Sequence, residues 1–416
     1  MINTMAASHA VNRTLYDPIF AANSACKAAI LEHGKDKVTN ATIGVVLNED
    51  GKLSVMPTVE KVFRSMKMTE FTAYAALSGN ADFIDAVKNI IFSHANYDGY
   101  FSAVATAGGT GAIHHAVANY AERGDAVLTS DWCWGNYKII CAETGKRIEY
   151  FKLFNDELTA FNVKDFADKV ENLLTTQNSL LIILNTPAHN PTGYALSSDE
   201  WDNVIEILKA KATKDKKITL LVDIAYIDFA AEKSVAWSFF DKFGDLPVNV
   251  LTLVSFSMSK SYALYGQRTG ALAAFSPNQH VIKEFDDTNK YSCRAIWSNI
   301  NNGAQVLCTK IFQDKNFTAE LEQDQTKLRN MVKRRAEVFV DEAKNCGLKI
   351  VPYKGGFFIA VPAENPVAVC NELHKDLIYA VPLQYGIRFA ACSTPLEKIP
   401  GVATKMKRAI EVSKNV

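Results

Sequence analysis

The chain has 416 residues, with 45 lysines and arginines against 45 aspartates and glutamates, and 48% of its residues are apolar. That length is too great for one simple core and enough for two domains. The charge balance excludes both the basic surplus of a nucleic-acid binder and an acidic tail, and no apolar run is long enough to span a membrane. The eight cysteines are scattered and form neither a CxxC nor a metal-ligand spacing. Reduced thiols, a cytoplasmic location and no metal site are therefore expected. The amino terminus lacks a basic segment followed by an apolar run, so no leader is expected.

In chain order, the segment before Gly44 is short and carries no basic recognition helix. Residues 51–312 alternate helical patterns with short strand-like runs, which predicts a parallel sheet. Within them, TAGGTGAIHHAVANYA (106–121) reads as a Gly-rich turn opening a helix. The backbone there can approach a ligand closely, and unpaired N–H groups at the helix start suit an anion. Three apolar runs follow, 180–184, 218–222 and 251–256, each ending in polar residues: TPAHNPTG, DIAY and SMSK. Polar residues at the carboxyl ends of successive strands are how open α/β sheets build ligand sites. Residues 314–346 are long, charged and periodic, predicting a connecting helix. LKIVPYKGGFFIAVPA and GIRFAACS read as strands, and a final helix is expected near 405–414. Sequons at Asn12, Asn40 and Asn316 are chance matches in such a protein.

The run SFSMSKSYALYGQRTG carries the most chemistry. A lysine leaving a buried strand, Lys260, loses solvation, so its pKa falls and its neutral amine can form a Schiff base with an aldehyde. Ser257 and Arg268 can hold an anionic group beside it, with phosphate the obvious one. Taken alone, Ser-x-Ser-Lys fits a surface lysine in a serine-rich loop.

Asn190-Pro-Thr-Gly193, Asp223 with Tyr226, and Ser257-x-x-Lys260 with Arg268 resemble, in order and spacing, the signature of class I pyridoxal-phosphate (PLP) aminotransferases of fold type I. The likeness covers nearly the whole chain and is near the aspartate/aromatic amino-acid subgroup. It implies an α/β fold with a large doubly wound, mostly parallel sheet domain (49–312) and a smaller α/β domain (1–48 with 313–416). It also implies PLP as cofactor and a ping-pong transamination of an L-amino acid, acidic or aromatic or both, with a 2-oxo acid such as 2-oxoglutarate.

Carried over residue by residue, the resemblance makes Lys260 the Schiff-base lysine and proton carrier. Asp223 becomes the partner of the pyridine nitrogen, and Asn190 and Tyr226 the partners of the phenolic oxygen. Gly108, Gly109 and Thr110 join Ser257 and Arg268 at the phosphate. Relatives often have a serine at Gly108, so one hydrogen bond is expected to be missing. Trp134 is the stacking aromatic, with Trp132 two residues away as the competing choice. Relatives have a histidine at Tyr137 that supports the aspartate, so its surroundings are altered here. His114 and His115 are expected to be packing or surface residues.

Arg388 would bind the substrate α-carboxylate by a bidentate pair, and Gly44 would pass its backbone over the substrate. Arg294, with Trp297, Ser298 and Asn299, matches the pattern that reaches a side-chain carboxylate across a dimer. Ile300 and Asn301 replace the usual prolines, which leaves its aim open. Tyr74, with Gly79 in step, would be donated to the cofactor phosphate of a neighbouring subunit, implying a homodimer. Several of these residues have plainer readings: Asp223 a helix cap, Asn190 turn chemistry, Arg388 a solvated arginine, Tyr74 an interface or core aromatic.

Two other functions share these residues. One is a PLP β-lyase or decarboxylase, distinguished by whether pyridoxamine phosphate and an oxo acid form in equal amounts. The other is a non-catalytic regulatory protein, which would call for a DNA-binding module. No nucleic-acid or membrane partner is expected.

Overall fold

The structure is a computed structural model that describes residues 4–11 and 13–414; Asn12 lies outside the described residues. A seven-stranded sheet forms the centre. Its strands are β2 (Tyr100–Thr106), β3 (Ala126–Ser130), β4 (Arg147–Phe151), β5 (Ser179–Asn185), β6 (Lys217–Asp223), β7 (Val250–Ser257) and β8 (Gly270–Ser276), after a short β1 (Thr39–Asn40) outside it. The order is β2-β8-β7-β6-β5-β3-β4. Only β8 runs against its neighbours, so the other six point their carboxyl ends the same way.

The apolar runs are buried from end to end, β7 at all eight positions. This is expected of a sheet covered by helices on both faces, where no alternation with solvent is needed. Helices Gly108–Tyr120 and Gln279–Ile296 pack with one face, while aromatic residues such as Phe240 and Phe275 fill the other side. Register brings the strand ends level: Asn185 pairs with Asp223, and Asp223 with Ser255. Three polar residues separated widely in sequence therefore stand side by side at one edge.

The connecting helix expected over 314–346 spans Lys315–Cys346, and Asp314 caps it. Its Asp324 accepts from the amide (2.9 Å) and hydroxyl (2.8 Å) of Thr58, capping the helix Pro57–Ser65 from a distance. Farther along, buried Arg335 pairs with Glu49 at 2.8 Å and donates to the Cys392 carbonyl at 2.9 Å, tying the N-terminal segment to the C-terminal part. That part holds a second core around a three-stranded sheet of β11 (Val381–Pro382), β12 (Gly386–Ala390) and β9 (Phe358–Pro362); β10 (Ile378–Tyr379) pairs with β1. Phe339 stacks on Phe389 at 4.5 Å there. A helix over Val402–Ser413 closes the chain.

One expected strand is missing. Residues 348–354 are not a strand, although Val351 still donates to Ala360. Pro352 has no N–H for a ladder, and the amides of Lys354 and Gly355 donate instead to the Gly193 carbonyl (2.8 and 3.0 Å). Among the described residues, no helix is long and apolar enough to cross a membrane.

Candidate active site

A cavity of about 270 Å³ opens at the carboxyl ends of β5, β6 and β7. The turn Met258–Ser261 follows β7 directly and points Lys260 into it. Ser257 caps that turn by accepting from the Ser259 amide (3.2 Å). The Lys260 amine donates to the Gly44 carbonyl at 2.9 Å and lies 4.6 Å from the centre of the Tyr265 ring. Burial lowers its pKa to about 8, with Arg268 and Arg388 pushing the same way.

Asp223, the last residue of β6, is buried. Its two side-chain oxygens accept from the Ala225 amide (3.1 Å) and the Tyr137 hydroxyl (2.7 Å). Burial raises its carboxyl pKa, and those two donors oppose the rise. Tyr226, just beyond, is a buried phenol whose pKa burial pushes up and Arg388 pulls down. Asn190 donates to its hydroxyl at 3.4 Å. Trp134 lines the same cavity, whereas Trp132 is buried away from it against Tyr385 and Gly386.

Most of the residues expected at a phosphate come together at one end of the cavity. Gly109, Thr110, Ser257 and Arg268 line the cavity, and the helix Gly108–Tyr120 starts there. Arg268 adopts a left-handed backbone (φ 50°) and donates to the Ser259 hydroxyl (3.1 Å) and the Tyr265 carbonyl (3.0 Å). Gly108, also left-handed (φ 66°), lies beneath it: a Cβ there would come within 2.8 Å of Arg268 Nη2. The space a serine side chain would need is filled by the guanidinium.

Arg388 projects from β12 and is 2% exposed. It donates to the Thr42 carbonyl (2.7 Å) and to Asn190 Oδ1 (3.3 Å), while its Nε has no partner. The Phe358 ring lies 4.2 Å from it, and a Cβ on Gly44 would strike that same ring at 2.8 Å. Among the described residues, no carboxylate lies within ion-pair distance of this guanidinium.

The cavity walls thus carry Lys260, Arg268 and Arg388 against the single carboxylate of Asp223. Sequence reasoning missed Phe358, Ile19, Thr42 and Asn185. Asn185 accepts from the Asn190 amide (2.7 Å) and donates to the Asp223 carbonyl (2.8 Å). It ends an apolar run as Asp223 does, so the same rule could have found it. Phe358 and Ile19 carry no such mark. Two expected residues are not brought to the cavity within one chain. Tyr74 is 90% exposed, and Arg294 is exposed and donates to Ser298 at 2.6 Å. His114 faces Glu143 at the surface; His115 is buried against Trp297.

Residues 36–398 match the family described as aminotransferase class I and II. The chain belongs to that family. A solved aminotransferase from Anaerococcus prevotii DSM 20548 is 36% identical, with a TM-score of 0.95 over 98% of this chain and 99% of the other. The aromatic-amino-acid aminotransferase of Escherichia coli K12 is 29% identical, matching 74% of this chain and 77% of its own length. The aspartate aminotransferase of Pseudomonas aeruginosa is 26% identical over 82% and 83%. The protein is an enzyme of PLP-dependent transamination with an α/β, fold type I architecture.

The cavity fits that cofactor on its own chemistry. It offers an amine of lowered pKa, a buried carboxylate, a flat indole and a cationic, glycine-floored cradle for a phosphate.

Proposed function

We propose that Lys260 holds the cofactor covalently and that Arg268, Ser257, Gly109 and Thr110, on the Gly108 turn, hold its phosphate. Asp223 would pair with the ring nitrogen, Trp134 with the ring face, and Asn190 and Tyr226 with the ring oxygen. Bound PLP supplies an aldehyde for an amino group and a ring that withdraws electrons from Cα.

The observation that carries the substrate reading is Arg388. A buried guanidinium without a counter-ion is costly, and its free Nε faces no protein acceptor. It supports binding of an anion, and a carboxylate accepts two parallel N–H bonds from a guanidinium. Phe358 stacked on it and Thr42 behind it fix the plane of the fork. An α-carboxylate held there places the amino acid between Arg388 and Lys260. Once free, the Lys260 amine is neutral above about pH 8 and can take the Cα proton and return it on the other side of the transfer.

The distal group of the substrate is read from outside the single chain. Arg294, Tyr291 and Ile296 on one helix, with Tyr74 and Met68, expose large side chains. They support a homodimer in which Tyr74 and Arg294 complete the partner's site, Arg294 meeting a side-chain carboxylate. We further propose 49–312 as the cofactor domain and 1–48 with 313–416 as the smaller one, in a cytoplasmic enzyme; the eight free cysteines suit a reducing compartment.

The test is a half-reaction. PLP-loaded protein is given L-aspartate, L-glutamate, L-phenylalanine or L-tyrosine without an oxo acid, and pyridoxamine phosphate and oxo acid are counted. Equal amounts of both are expected from acidic donors, aromatic donors or both. Oxo acid without pyridoxamine phosphate, or neither from any donor, would reject the reading.

A further inference from the structure

Two helices of one sheet face meet along an antiparallel seam. Gly108–Tyr120 begins at the phosphate cradle, and Gln279–Ile296 carries Arg294 in its last turn. Gly111, His115 and Asn119, each about one turn from the next, face Trp297, Cys293 and Asn289. A Cβ on Gly111 would come within 3.1 Å of the Trp297 indole. The His115 imidazole stacks on that indole (4.3 Å between centres, 9° between planes), and its Nε2 lies 3.5 Å from Cys293 Sγ. Asn119 donates to Asn289 (3.1 Å) and accepts from Ser292 (3.1 Å), and Asn289 donates to the Tyr120 hydroxyl (2.9 Å).

We propose that His115 is a specificity-determining positioning residue: its stack on Trp297 fixes the end of the Arg294 helix, and with it the aim of Arg294 at the side chain of an acidic donor. The inference rests on the reading of Arg294 as the group that meets a side-chain carboxylate in the partner's site.

The helix ends on a backbone that must be held. Ser298 has a left-handed conformation (φ 67°), which a serine keeps only where its surroundings impose it. The amides of Trp297 and Ser298 both donate to the Cys293 carbonyl (3.2 and 2.9 Å), and the Ser298 hydroxyl accepts from Arg294 at 2.6 Å. Trp297 and Ser298 therefore stand between His115 and the arginine. His115 is wholly buried, and its Nδ1 has no partner among the described residues. What it offers Trp297 is a flat face, and burial lowers its pKa to about 4, so the ring is neutral at pH 7. Removing that ring leaves a cavity under the indole and loosens the turn. A displacement of about 1 Å in a substrate-positioning group costs up to about 100-fold in rate.

The experiment compares the PLP-saturated wild type, His115→Ala, His115→Phe, Arg294→Ala and the His115→Ala/Arg294→Ala double variant. Single-turnover kinetics are followed with L-aspartate and L-phenylalanine, and PLP affinity is measured by dialysis. His115→Ala is expected to lower the apparent second-order rate constant for aspartate about tenfold, chiefly through weaker aspartate binding. Phenylalanine should change less than about twofold, with PLP affinity unchanged. His115→Phe keeps the stack and should restore aspartate. In the Arg294→Ala background, His115→Ala should cost nothing more. Trp297→Leu removes the stack from its other side and should give the same split, which keeps the test open if His115→Ala does not fold. Equal losses for both donors, a loss of PLP affinity, or a further loss in the Arg294→Ala background would overturn the proposal. Arg294→Ala without a selective loss of aspartate would instead remove the reading of Arg294 beneath it.

Discussion

The buried amine of Lys260 makes a prediction that needs no catalysis. In the unfolded chain the lysine titrates near 10.5, and in the folded apoprotein near 8. The difference, 10.5 − 8, means the folded state binds this proton more weakly. Below about pH 8 both states carry it, and folding includes the full cost of enclosing the charge. Between pH 8 and 10.5 the unfolded state holds more protons, so stability rises with pH; above that range the cost is gone. Each unit corresponds to about 1.4 kcal/mol, so 2.5 units come to about 3.5 kcal/mol, which we reduce to a cost of about 2–3 kcal/mol because the amine faces an open cavity. Lys260→Met keeps the length and removes the charge. We predict that the apoprotein variant is more stable than wild type by that amount at pH 7, and that the gap closes by pH 10.5. Urea unfolding of both, at one protein concentration and across that range, measures it. A gap that stays constant with pH, or a variant less stable at pH 7, would refute the reasoning.

Three further outcomes follow from the same geometry. Arg388→Lys loses the fork that a carboxylate accepts, so kcat/KM should fall roughly 10- to 100-fold for acidic and aromatic donors alike, with PLP affinity unchanged; a loss confined to one class would move Arg388 off the α-carboxylate. Arg294→Ala should impair aspartate far more than phenylalanine in steady-state assays, and equal losses would remove it from the distal carboxylate. Gly108→Ser should weaken PLP binding by about tenfold in dialysis, since its Cβ meets Arg268 Nη2 at 2.8 Å on a left-handed backbone; tighter binding would mean that the guanidinium readily yields.

Much of the cavity was legible because strands impose a simple rule. An apolar run that must be buried ends where polar residues begin, and in a parallel sheet those ends share one edge. Asp223, Asn190 and Lys260 follow from that rule, as does Asn185, which the pattern marks equally well. The long helix Lys315–Cys346 was likewise readable from its length, charge and period.

What only the tertiary structure decided concerns groups whose partners are remote in sequence. Register set Asp223 level with Asn185 and Ser255, and packing chose Trp134 over Trp132 for the cavity. The Gly108 departure reads as a lost hydrogen bond in sequence, yet in space Arg268 fills that place. The Tyr137 departure turns out to be a direct donor to Asp223. Phe358 on Arg388 left no trace in the pattern, because a phenylalanine in a buried strand looks the same whether it faces a core or a guanidinium. Local sequence determines which residues must be buried and where a strand stops; which of them meet is settled by the packing of the whole chain.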